Sequence, residues 1–128
     1  MARRPYRLSR HFVLSEFSDD HAGKLPPRES IPYLRFLCHR FLEPLREEFG
    51  VVIVNSGYRT PETNRYVGGA TRSRHLYDIF HSTPAADVTA RRGDAAAWGR
   101  FLEELSPGGL GVYPGHVHVD NRNVRARW

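Results

Sequence analysis

Between Ile31 and Phe49, apolar residues recur at three- and four-residue steps: Ile31, Leu34, Leu37, Cys38, Phe41, Leu42, Leu45 and Phe49. Such steps return side chains to one face of a helix, so the run predicts one long amphipathic helix whose stripe must be buried. Ser30 stands where an N-cap belongs, Pro32 suits the first turn and Gly50 suits the stop. Pro44 lies inside the run and has no amide hydrogen to donate, which predicts a kink or a split there.

The rest of the chain changes period. Val51 to Val54 is a β-branched strand closed by Asn55, Ser56 and Gly57, and Ala86 to Thr89 reads as a second, weaker strand. Residues 60–74 read as a long loop in which Gly68 and Gly69 are free to take positive φ. Asp94 caps a helix carrying Trp98, Phe101, Leu102 and Leu105 as core positions, ended by Pro107-Gly108-Gly109. Leu110 to Tyr113 and His116 to Asp120 flank Pro114-Gly115, the pattern of a hairpin. Ahead of all this, residues 1–30 are irregular, anchored by Phe12, Val13, Leu14 and Phe17, and Leu25-Pro26-Pro27 breaks any helix. The order predicts an α+β fold, a small antiparallel sheet with flanking helices. At 128 residues the chain suits a single domain spanning 1–128, with residues 1–11 as a basic arm.

Net charge is +5, with Arg3, Arg4, Arg7 and Arg10 near the start and Arg122, Arg125 and Arg127 at the end. These read as solvated basic ends. No nucleic-acid recognition motif accompanies them, so no nucleic-acid partner is expected. With one cysteine, Cys38, no internal disulfide can form. No apolar run approaches the ~20 residues needed to cross a bilayer, so no membrane insertion is expected.

Chemistry is concentrated in three places. In His116-Val117-His118-Val119-Asp120 the period of two sets both imidazoles and the carboxylate on one strand face, with the valines turned to the core. Neutral imidazole is a good zinc ligand, and a neighbouring carboxylate fixes a ring's tautomer. Alone, the pattern also suits a solvated polar face. Ser73-Arg74-His75 is followed by Ala85-Ala86-Asp87-Val88, where small and apolar neighbours surround an acid that needs a partner once buried. Ser56-Gly57-Tyr58-Arg59-Thr60-Pro61 places an arginine on a turn after a strand, where its planar fork can reach a carboxylate in a cleft.

These segments, together with Phe12-Val13-Leu14-Ser15-Glu16-Phe17, Leu45-Arg46, Glu62-Thr63-Asn64, Val67-Gly68-Gly69-Ala70, Leu76 and Gly111-Val112-Tyr113, occur in the order of one family. From about Phe12 to Trp128 the chain resembles the zinc D-Ala-D-Ala carboxypeptidases and their phage endolysin relatives, which share an α+β fold with the hedgehog signalling domain. The resemblance implies one Zn2+ ion held by His75, Asp87 and His118, with His116 a catalytic residue beside it. It implies that Arg59 holds or polarises the substrate, with Ser73, Asp120 and Tyr58 as substrate-binding or supporting residues. The implied substrates are peptidoglycan stem peptides, cut by a carboxypeptidase or a wall endopeptidase. Three protein ligands leave a fourth position for water, the pattern of a catalytic site. A module that keeps the fold and binds wall without efficient hydrolysis is the alternative. The N-terminus lacks the apolar core and cleavage site of a signal peptide. That leaves the location unknown; one reading keeps the protein in the cytoplasm until it is released or another machine delivers it to the wall.

The chain departs from the family in one place. The family pattern S-x-H-x-x-G-x-A-x-D sets histidine and aspartate close together. Here eleven residues separate His75 from Asp87, and the glycine after the histidine is missing. The stretch from Asp78 to Pro84 carries the excess. Loop closure grows slowly with length, so Asp87 can still return to the metal. Asp78 or His81 replacing it, and a segment that covers the site, are the other readings. His11, His21 and His39 are not expected to be ligands.

Overall fold

The expected long helix forms as α1 (Ile31–Leu37) and α2 (Glu43–Phe49), joined without a break through a π turn at Cys38–Leu42. In this computed structural model, residues 6–128 are described. The adjustment comes ahead of Pro44, with Glu43 N–H reaching back five residues to Cys38 O. A widened turn is one way for a helix to absorb a residue that cannot donate. Gly50 ends α2 at φ 84°, a conformation that costs glycine little. Ser30 does not cap through its side chain; its hydroxyl donates to Pro27 O at 2.6 Å in a preceding 3-10 turn.

Five strands form one sheet: β1 (Val52–Ser56), β2 (Ala86–Ala90), β3 (Gly109–Val112), β4 (Val117–Asp120) and β5 (Ala126–Arg127), in the order β1-β2-β4-β3-β5. The pairings are antiparallel except that between β3 and β5, which is parallel, so the sheet is mixed where an antiparallel one is expected. The basic tail is therefore ordered. Arg127 and Arg125 both reach Glu103, and Arg122 closes on Asp120.

The loop reading of 60–74 also gives way in part, because α3 (Pro61–Tyr66) occupies its first half. Thr60 caps it by accepting from Thr63 N–H, and Pro61 fills the first turn. The last helix, α4 (Ala95–Glu104), is capped by Asp94 as expected, its carboxylate accepting from Ala97 N–H at 2.9 Å.

One face of the sheet presents Ala86, Val88, Val117 and Val119 to a core shared with Leu34, Leu37, Phe41, Leu42, Leu45 and Leu102. The irregular N-terminal stretch closes this core with Phe12, Leu14 and Phe17. Of the expected basic arm, Arg3 and Arg4 lie outside the described residues. Leu8 is buried in the core, and Ser9 and His11 are tied to Glu43, at 2.6 Å from the Ser9 hydroxyl. No helix among the described residues is long and apolar enough to cross a membrane.

Candidate metal centre

The opposite sheet face carries the polar set. Asp87 on β2 is the cross-strand neighbour of His118 on β4, so sheet register alone sets two of the predicted ligands side by side. Alternation along β4 turns His118 and Asp120 away from the core that holds Val117 and Val119. His75 arrives from a loop and is pinned through its backbone and its ring. Its carbonyl accepts from Arg59 N–H at 2.8 Å, and its Nδ1–H donates to Gly57 O at 2.7 Å. Gly57 is fixed in turn because Tyr58 N–H donates to Phe17 O at 2.9 Å.

His75 Nε2 stands 3.1 Å and His118 Nδ1 stands 3.0 Å from Asp87 Oδ1, and the three ligand atoms lie within 4.8 Å of one another. The hydrogen-bond partners on the far sides decide the tautomers. Gly57 O can only accept, which commits the His75 proton to Nδ1. Asp120 sits 2.7 Å from His118 Nε2 and is already engaged by Arg122, so it too acts as acceptor. Both rings therefore turn a lone pair toward a carboxylate oxygen. Three electron-rich atoms converging in a mostly buried place call for a cation. Tetrahedral coordination with bonds of about 2.0–2.1 Å spaces neighbouring ligand atoms by about 3.3 Å, close to both contacts here. The residues fit a metal ion.

Burial works to raise the Asp87 carboxyl, but the adjoining rings of His118 and His75 outweigh it and hold the group well below the usual carboxylate range. Burial lowers His75. Burial also pulls His118 down, yet Asp120 and then Asp87 raise it overall. Asp120 is fully buried; against burial, the Arg122 fork and His118 keep it ionised.

Around this centre lies a cleft of about 570 Å3 whose walls include Arg59, Ser73, His116, Tyr113 and Trp128. Arg59 Nη2 is 3.8 Å and His116 Nε2 is 3.9 Å from Asp87 Oδ2, the oxygen facing away from His75 and His118. The partly exposed His116 ring is held flat against Tyr113, with centroids 4.4 Å apart and planes 8° from parallel. Trp128 packs against the His118 ring and donates its indole N–H to the Tyr113 hydroxyl oxygen at 2.6 Å. Gly111 is required beneath it, since a Cβ there runs into the indole. Ser73 Oγ accepts from His75 N–H at 3.2 Å, supporting the loop that carries the histidine.

Two predicted site residues do not line the cleft: Asp120, buried behind His118, and Tyr58. The Tyr58 ring is buried beside Tyr77 and its hydroxyl donates to Asp78 at 2.7 Å. The two other acid or imidazole candidates are likewise elsewhere: Asp78 is taken by Tyr58, and His81 packs edge-on to Tyr33. Among the remaining histidines, His11 pairs with Glu43, His21 stacks on Tyr66 and His39 bonds Arg35 O. Sequence reasoning missed Arg122, whose fork on Asp120 orients the acceptor of His118, and the aromatic pair Tyr113 and Trp128. The spacing Asp120-x-Arg122 was the available signal for the first.

No curated protein matches the chain. The sequence profile of the family Peptidase M15 matches residues 15–120, most of the described fold and every residue of the His75, Asp87 and His118 cluster. The chain belongs to the Peptidase M15 family, the zinc D-Ala-D-Ala carboxypeptidase-like metallopeptidases.

Proposed function

We propose that this protein is a zinc peptidase that hydrolyses D-Ala-containing peptides of bacterial peptidoglycan, as a D-Ala-D-Ala carboxypeptidase or a wall endopeptidase. The observation that carries this reading is the convergence of His75 Nε2, His118 Nδ1 and Asp87 Oδ1 at the floor of an open cleft. Two imidazoles and one carboxylate form a donor set suited to zinc with a position left open. A zinc ion bound there supplies Lewis acidity, lowering the pKa of a water toward ~7 and polarising the scissile carbonyl.

The chain's own groups account for the rest. His75 and His118 are held by Gly57 O and Asp120, so their ligand atoms need no rearrangement. His116 stands partly exposed at the cleft wall, where its Nε2 can take a proton from the attacking water and return it to the leaving amine. Its stacking on Tyr113 fixes the ring plane for that exchange. Arg59 makes only long contacts, 3.3 Å to Ser56 and 3.4 Å to Asn64, and keeps donors for a substrate carboxylate or carbonyl.

The non-catalytic alternative drew its force from the lengthened segment between His75 and Asp87. That segment does not carry Asp87 away from the histidines. The test is release of new amine groups from purified peptidoglycan by zinc-loaded protein, its loss with a chelator and its return with zinc. Tight wall binding with no amine release from the zinc-loaded protein supports the alternative instead.

A further inference from the structure

Resting on the peptidase reading, we infer that Arg72 and Arg74, backed by Phe80, form a second anion subsite that takes an internal carboxylate of the peptide, distinct from the group held by Arg59.

Four arginines line the cleft: Arg59, Arg72, Arg74 and Arg122. Their charges are met differently. Arg122 closes on Asp120 with two hydrogen bonds, of 2.9 and 2.6 Å, and Arg59 faces Asp87. Among the described residues, neither Arg72 nor Arg74 pairs with a carboxylate. Both instead lie over one aromatic ring, with Arg74 Cζ 4.1 Å and Arg72 Cζ 5.5 Å from the Phe80 centroid. A ring face attracts a cation but leaves its N–H donors unused. Arg74 Nε is buried without any hydrogen-bond partner, a rare condition for a donor. Like charges gathered in a cleft repel one another when the cleft is empty and attract an oxyanion that enters it.

Phe80 belongs to the segment by which this chain exceeds the family spacing. Its N–H donates to Leu76 O at 2.8 Å and its carbonyl accepts from Thr83 N–H at 3.0 Å, a turn that holds the ring against the arginines. The residues from 76 to 84 supply no ligand of the metal cluster and no wall of the cleft. Their contribution to the site is the platform under Arg72 and Arg74. A guanidinium fork matches a carboxylate in two parallel hydrogen bonds, which identifies the ligand as a peptide with at least two anionic groups.

The test uses a diaminopimelate-containing pentapeptide ending in D-Ala-D-Ala. Its internal carboxylates are either free or converted to carboxamides, and the terminal carboxylate is kept in both forms. With the full-length zinc-loaded protein, the free-acid form is expected to be favoured about tenfold in kcat/KM. Arg74→Gln and Phe80→Leu should each shrink that acid-to-amide ratio. Binding of both peptides by calorimetry gives a second readout. If neither peptide is cut yet the acid form binds more tightly through Arg74, the subsite stands and the peptidase reading falls. Equal handling of both forms by the unmodified protein, binding of neither, or a ratio untouched by Arg74→Gln overturns the subsite.

Discussion

His118 donates from Nε2 to Asp120 across 2.7 Å, and that single contact decides which of its nitrogens faces Asp87. The acceptor is fully buried and gripped by Arg122, so the ring cannot rotate without stranding a charge.

Asp120→Asn keeps the shape of the acceptor and removes its charge. Zinc affinity, measured by competition with a chromophoric chelator, should fall by roughly 10- to 100-fold, the usual loss when a partner behind a metal ligand is changed. Unchanged affinity in a folded variant would mean that Asp120 does not orient His118.

The pH dependence of metal binding follows from His118. Its folded pKa is raised above the ordinary 6.5, so its contribution to the metal-free protein is full below 6.5 and is lost as pH rises through the folded value. The metal acts in the opposite sense, because it binds the unprotonated Nδ1. Asp87 and Asp120 are held below 3.8, and their contribution persists until the pH falls through those lower folded values. The histidines therefore set the window. The Tm gap between zinc-loaded and chelated protein should widen as pH rises from 6 to 8, read by scanning calorimetry, and a gap independent of pH contradicts this assignment.

His116→Ala should separate chemistry from metal binding. The ring is outside the three-atom cluster, so zinc content should be retained while amine release falls by about 10²–10⁴-fold, the range for a positioned acid–base group. Loss of zinc together with activity would make His116 a ligand instead.

Leu45→Ala probes the core beneath the sheet. The side chain is fully buried on α2, and truncation should cost about 2–5 kcal/mol in a urea unfolding curve. Zinc affinity at low urea should change little, because Leu45 touches the site only through the sheet.

How much of this was legible in the sequence varies with the range of the interaction. The period of two in His116 to Asp120 and the helical stripe from Ile31 to Phe49 are local patterns, and both survive in the fold. Asp87 was identifiable across the lengthened segment because Ala86 and Val88 mark it as a strand residue between core positions. The α3 helix is too short to show a period, although Thr60-Pro61 announced its start. Strand β5 has two residues and exists only through pairing with β3, a non-local contact with no local signature. Arg122 looked like part of a basic tail because its partner Asp120 was assigned to the histidines alone. Tyr58 sits beside the predicted Arg59, but the turn sends their side chains to opposite sides, one toward Asp78 and one into the cleft.

Cobalt(II) titration of the metal-free protein bears most directly on the metal centre. The unmodified chain should take up one ion with the intense visible bands of a low-coordinate nitrogen and oxygen site, and His75→Ala, Asp87→Ala and His118→Ala should each weaken or abolish them. The same spectrum from a chain lacking both His75 and His118, or no stoichiometric uptake by the unmodified protein, would contradict a metal held by these three residues.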